Sequence, residues 1–290
     1  MSERYFIAIF VGVLWGLVNR ILMLRVDYRA YPSYPHAYMS HLAFGFLASL
    51  VGTVAPVALA AQQFDAVTFL LLVATQFREI RKMERDKLER LESIELVPRG
   101  ANYIEGIAEV FELRNYLIMF VSAAAAGAVL LWGESLGALV GLILVAGTQL
   151  LRSDLRLDDV ARIHMAPVRF EGFQLFVEDV DFMNVALPDL RATIEKWGVG
   201  MVIEAKDSEY LGVLDNLGQR QAIIHDLVHV LGNRADVDTA ELKPQVRKNL
   251  ESGKMALYFC PMDGDEERIL KVAAHTPILS NARRGSGEGL

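Results

Sequence analysis

The sequence predicts an α-helical membrane domain of about five transmembrane helices with interfacial amphipathic helices, followed by a small cytoplasmic α/β or α+β domain. Three observations carry this. Apolar runs near the ~20 residues that a ~30 Å hydrocarbon core demands fill the first half, and cations recur in alternate connections between them. Beyond them, short strand-like runs alternate with helical patterns. The expected boundaries are 1–164 for the membrane domain, with interfacial helices within 78–114, and 165–290 for the cytoplasmic domain.

Tyr5–Val18 is apolar without interruption and continues through Asn19-Arg20 into Ile21–Leu24. Arg20, Arg25 and Arg29 follow rather than precede the run, so it reads as an uncleaved anchor and not as a secretory signal. Arg20 is expected to snorkel toward the cytoplasmic interface. The tyrosine- and proline-rich YRAYPSYPHAY suits a membrane boundary and leads into a second run, His41–Ala61, which Pro56 should bend. Ala66–Phe77 is short for a crossing. Tyr116–Trp132 and Leu136–Leu151 form a helical hairpin around Gly133-Glu134-Ser135, with Ala123–Ala128, Gly137, Gly141 and Gly147 allowing close approach.

Cations order the crossings. Arg20, Arg25 and Arg29 lie in the first connection, and eight Lys or Arg lie between Arg78 and Arg114 in the third. Arg152, Arg156 and Arg162 follow the fifth run, whereas the second and fourth connections carry none. Five crossings result, with the N-terminus outside and the tail in the cytoplasm; this alternation also argues that Ala66–Phe77 crosses.

Composition agrees, with 53% hydrophobic residues, 22% charged and a mean hydropathy of +0.28. The net charge of −7 leaves no cationic surplus to replace phosphate counterions, so nucleic-acid binding is excluded. The single cysteine, Cys260, excludes a disulfide framework within the chain.

The charged stretch between the third and fourth runs is patterned. In REIRKMERDKLERLE, Arg78, Arg81, Lys82 and Arg85 share one helical face, and in NYIEGIAEVFELRN, Glu105, Glu109 and Glu112 do the same. Ile104, Ile107, Ala108 and Phe111 form the face opposite those acids. Three like charges at this spacing are unfavourable unless cations face them. The basic stripe is therefore expected to meet the acidic one, with Ser93–Gly100 as the turn.

Tyr103-Ile104-Glu105-Gly106-Ile107-Ala108 spells the hexapeptide of the YIEGIA family of endospore-forming bacteria, and the chain resembles that family over nearly its whole length. The resemblance implies a sporulation-associated, multi-pass protein of the cell membrane, in a spore or forespore membrane. It further implies a regulated protease of unstated catalytic type that acts on membrane-protein substrates and is restrained by small partner proteins. No cofactor is expected. Glu105 and Glu109 are the candidate catalytic acids. The alternative is a non-enzymatic scaffold that assembles other spore membrane proteins. Gly106 stands where a helix loses stability and gains room for a neighbouring helix or peptide.

In the tail, Gly172–Val180, Val199–Ala205 and Met255–Cys260 read as strands. Pro188–Trp197, Glu209–Gly232, with a break near Gly218, and Glu266–Ala274 read as helices. Arg152–His164 reads as a connector, and the closing ARRGSGEGL as disordered. His225-Asp226-Leu227-Val228-His229 spaces two imidazoles by one turn, so His225 and His229 are weak metal candidates with Asp236, Asp238 or Glu241 as a third ligand. The helical wheel turns His225, Asp226 and His229 toward solvent or a partner, and Asp substitutes for the Glu of the zinc-protease pattern. No phosphate-cradling or dinucleotide glycine motif and no serine-nucleophile elbow is present, and apposed intramembrane aspartates are missing because Asp65 falls near the outer boundary.

Overall fold

The computed structural model describes residues 3–30, 37–92, 97–150, 155–235, 239–279 and 281–282. Most of YRAYPSYPHAY, Asp236, Asp238 and the chain end after residue 282 lie outside the described residues. The chain forms two units. One comprises Met1–Leu88 and Ile107–Ser153, and the other comprises Glu89–Gly106 and Asp154–Leu290.

The first unit is helical. Its elements are α1 (Glu3–Ala30), α2 (Ala37–Ala60), α3 (Phe64–Thr75), α4 (Phe77–Glu92), α5 (Ala101–Trp132) and α6 (Glu134–Leu150), with α4 and α5 each running partly into the second unit. Three stretches, Glu3–Leu24, Tyr38–Ala60 and Ala101–Trp132, are long and apolar enough to cross a membrane, while α6 is a shorter apolar helix. At 12 residues α3 spans only about 18 Å.

Two sequence expectations are corrected here. The motif does not form an interfacial helix separate from the fourth apolar run, because α5 is continuous over 32 residues and nothing between Asn115 and Tyr116 breaks it. The hairpin link shrinks to Gly133 alone, whose φ of 96° favours glycine, and Glu134 begins the next helix.

Packing in this unit relies on small residues at the crossings. A Cβ on Gly52 would lie 2.7 Å from the Met119 Cα, and one on Gly12 would lie 2.7 Å from the Thr53 hydroxyl oxygen. Polar groups occupy the interior: Asn19, Arg20, Ser49, Thr53, Asn115, Ser122 and Thr148 are buried. Thr148 donates to the Asn19 side-chain oxygen at 2.7 Å. Phe6, Phe10, Leu71, Leu131, Trp132 and Ile143 point outward.

The second unit is an α+β domain, since every strand pairing is antiparallel. It runs α7 (Leu157–Val160), β1 (Ala161–Ala166), β2 (Val168–Glu171), β3 (Gln174–Val177), β4 (Val180–Asn184), α8 (Pro188–Trp197) and β5 (Val199–Ala205). After these come α9 (Leu211–Asp215), α10 (Leu217–Leu231), β6 (Gln245–Lys248), β7 (Met255–Phe259) and α11 (Glu266–His275). One sheet has the order β1-β5-β7-β6 and the other β2-β3-β4. β7 is buried along its whole length, and Val202, Ala256 and Tyr258 share a core with Leu175, Val177 and Phe182 of the smaller sheet.

The expected strand Gly172–Val180 is in fact parts of two strands. Gly172 (φ 64°) turns the chain before β3 and Glu178 (φ 54°) turns it after. Arg152–His164, expected as a connector, supplies α7 and the start of β1. The helix over 209–232 breaks at Asn216, whose side chain accepts from the Gln219 N–H and so caps α10. Pro188–Trp197 and Val199–Ala205 are found at their expected bounds.

Candidate functional site

Two buried clusters of ionisable side chains stand out, one in each unit. Along α5, the face formed by Ile104, Ile107, Ala108 and Phe111 is buried, as its pattern requires, while Glu105, Glu109 and Glu112 are half-buried on the opposite side. Of the expected stripe contacts, Arg81 pairs with Glu112 at 3.1 Å. Arg85 bonds Asp86 on its own helix at 3.0 Å. Arg78 acts on Tyr116, one turn beyond Glu112.

Arg20 does not snorkel. It is 0% exposed: its Nε donates to the His41 carbonyl at 3.1 Å, a terminal nitrogen bonds the His41 ring, and its guanidinium lies 5.6 Å from the Phe111 ring centroid. His41 stands edge-on to Phe111 at 5.1 Å and 3.9 Å from the Glu84 carboxylate. A cation of α1 and an imidazole of α2 thus close on one aromatic ring of α5, with a carboxylate of α4 beside the imidazole. The sequence analysis singled out neither His41 nor Glu84. The available signal for His41 was an ionisable residue at the entry to an apolar run, whereas Glu84 is one of five acids from Glu79 to Glu92 and nothing in the sequence distinguishes it.

In the tail unit the cluster surrounds the start of the motif. Glu92 accepts from both the backbone and the side chain of Arg99, and Arg99 faces the Tyr103 ring at 5.9 Å. The Tyr103 N–H donates to the Gln221 side chain at 3.3 Å, and the His225 Nδ1 lies 3.4 Å from the Val97 carbonyl. His225 therefore does not face solvent. His225 is 7% exposed and Asp226 half-buried, because the Val97–Tyr103 segment covers that side of α10; only His229 is exposed. Burial, then the nearby Arg99, lowers the pKa of His225 to about 4, and burial raises that of Asp226 to about 6.

The rings of His225 and His229 stack at 5.8 Å, and among the described residues no group of three His, Cys, Asp or Glu is placed to hold a metal ion. A cavity of about 690 Å³ opens between α10 and α11, with Asp226 at one side and Arg268, Lys271 and His275 at the other. Burial raises the pKa of Cys260, and its sulfur lies 3.2 Å from the Tyr258 hydroxyl, so it is a core thiol.

A helical unit with polar groups inside, two of whose helices, α4 and the motif-bearing α5, continue into an α+β unit, defines a class of helical protein with an appended sheet domain. The chain belongs to the YIEGIA family: the model of the YIEGIA protein matches residues 8–288. It is 37% identical over 287 residues to "Uncharacterized protein YphB" of Bacillus subtilis (strain 168), covering 98% of this chain and 95% of the relative. No solved structure matches.

Proposed function

We propose that the protein is a multi-pass membrane protein of sporulating cells that acts as a regulated protease on membrane-protein substrates and is restrained by small partner proteins. The observation that carries this reading is the enclosed Arg20–His41–Glu84 cluster. Ionisable groups inside apolar bundles are costly to bury and mark working sites by default. Once the helices part to admit a water and a peptide bond, His41 beside Glu84 can take the proton of the attacking water and Arg20 can hold the anion that forms on the substrate carbonyl. Glu105 and Glu109 lie on the side of the motif helix away from Phe111 and stand as a separate pair of candidate acids.

Five crossings, with the N-terminus outside and the tail cytoplasmic, complete the reading. The short third crossing finds support in α4. Ala74, Phe77 and Ile80 pack at the level of Ala48 and Val51, midway along α2, and Glu84 reaches His41 near its start. Residues 64–84 therefore descend past most of α2 in two helical pieces.

The test is membrane proteomics of cells producing the full chain or its Glu84→Gln or Glu105→Gln variant. Wild type is expected to generate membrane-protein fragments that disappear with the variants at equal abundance. Fragments unaffected by either variant would remove the protease reading. The second reading, a scaffold, is favoured by the bond from Arg20 to the His41 backbone, which ties α1 to α2 without needing chemistry. It predicts lost partner binding in the same variants with no fragments in wild type.

A further inference from the structure

Gly106 was expected to admit a close neighbour, and the neighbour is the chain's own C-terminal segment. A Cβ at Gly106 would stand 2.9 Å from Cγ of Asn281 and closer still to its amide nitrogen. Gly106 and Asn281 both belong to the second unit.

α10 holds two things through side chains two residues apart. Gln219 grips the C-terminal segment, donating to the Pro277 carbonyl at 3.1 Å and accepting from the Leu279 N–H at 2.7 Å. Gln221 grips the motif entry, accepting from the Tyr103 N–H, with its amide seated where Gly100 has no side chain. The segment is further pinned where the Ile278 N–H donates to the Leu155 carbonyl at 3.0 Å. Beyond Leu279 the hold changes in kind. Ala282 is buried and its N–H folds back to the Leu279 carbonyl, but the Asn281 side-chain oxygen is buried with no hydrogen-bond partner among the described residues.

We propose that Pro277–Leu279 together with Asn281 and Ala282 act as an intramolecular latch on the motif helix: anchored through Leu279, with a releasable end in which Asn281 roofs the notch at Gly106. The anchored part is fixed by paired backbone groups, whereas the roofing end leaves an acceptor unmade, so opening starts there. The latch goes beyond the protease reading and does not depend on it. Its consequence is that nothing else packs on the Gly106 face of the motif until the latch lifts.

Hydrogen exchange on the full chain in lipid nanodiscs tests this. In a chain ending at Leu279, amides of residues 103–107 should exchange about tenfold faster than in wild type; unchanged exchange overturns the latch. A second variant, Gly106→Cys with Asn281→Cys, keeps the question open to an answer if the shortened chain does not accumulate. Its thiols should cross-link readily on oxidation and slow exchange of those amides below the wild-type rate. Absence of the cross-link refutes the contact, and cross-linking without slowing refutes release.

Discussion

In the helical unit Phe6, Phe10, Leu131 and Trp132 face outward, while Asn19, Arg20, His41, Ser122 and Thr148 are enclosed. In the tail unit Leu175, Phe182, Ile203 and Phe259 are enclosed, while Arg162, Glu171, Asp181 and Lys271 lie outside. The same rule governs both: each group is hidden from surroundings that do not solvate it, and buried polar groups are given partners. The inversion follows when the surroundings of the first unit are lipid and those of the second are water. Buried charge thus has a different standing in each. In the helical unit it is a cluster contributed by α1, α2 and α4 within an interior that is otherwise apolar or neutral, and in the tail it is a cluster where one segment covers α10.

The sharpest way to break this contrast is Arg20→Met. It keeps length and removes the cation from a site with 0% exposure, leaving His41 and Glu84 facing each other without it. The expected loss is about 3–5 kcal/mol, as for one partner of a buried ionic group. Arg162→Met, on an exposed position of β1, should stay within about 0.5 kcal/mol. Thermal unfolding of the purified protein in detergent compares the two. Equal small losses would mean that Arg20 is not a structural keystone of the bundle.

A smaller effect is expected from pH in the tail. Asp226 rises from 3.8 to about 6 in the folded state, so between these values the folded chain holds a proton that the unfolded chain has released, and stability falls as pH rises. His225 drops from 6.5 to about 4, so over that window the unfolded chain holds the extra proton, and stability rises with pH. Each amounts to at most about 3 kcal/mol by the value of one pKa unit, and they oppose each other. The wild-type profile should therefore be nearly flat from pH 4 to 6.5. Asp226→Asn should expose the histidine slope, with stability falling on acidification, and His225→Gln should expose the opposite slope. Chemical unfolding across that range, followed by near-ultraviolet circular dichroism, reads both.

The sequence made the apolar runs, the buried face of the motif and most tail elements legible because each depends on local periodicity. β7 and β5 were visible as short apolar runs, and α8 through its leading Pro188. β1 and β6 were not, since polar residues such as Arg162 and Arg247 on partly exposed strands give no apolar alternation. The candidate sites were legible as residue types but not as partners. His225 looked solvent-facing because a helical wheel sees only its own helix, and what covers it is Val97, 128 residues earlier. Arg20, His41 and Glu84 come from three helices, and no spacing along the chain encodes their meeting.

The smallest expected effect is the one that tests whether like pairs differ between the units. Arg81–Glu112 in the helical unit has side chains 35% and 12% exposed, whereas Arg99–Glu92 in the tail has 13% and 5%. Part-exposed pairs contribute roughly 0.2–1 kcal/mol, so Arg81→Met should cost no more than about 1 kcal/mol, while Arg81→Glu adds repulsion from Glu112 and should cost more until Glu112→Arg in the same chain restores the pair. Because Arg81 is the more open to solvent, its coupling to Glu112 should fall as salt rises from 0.1 to about 1 M, where the screening length shortens to about 3 Å. The Arg99–Glu92 coupling should persist, since neither partner is reached by the ions. A double-mutant cycle on each pair at both salt concentrations separates the cases. Equal salt dependence would mean that the acidic face of the motif is as enclosed as the tail cluster, and the basic stripe would then act on the motif as a fixed internal contact.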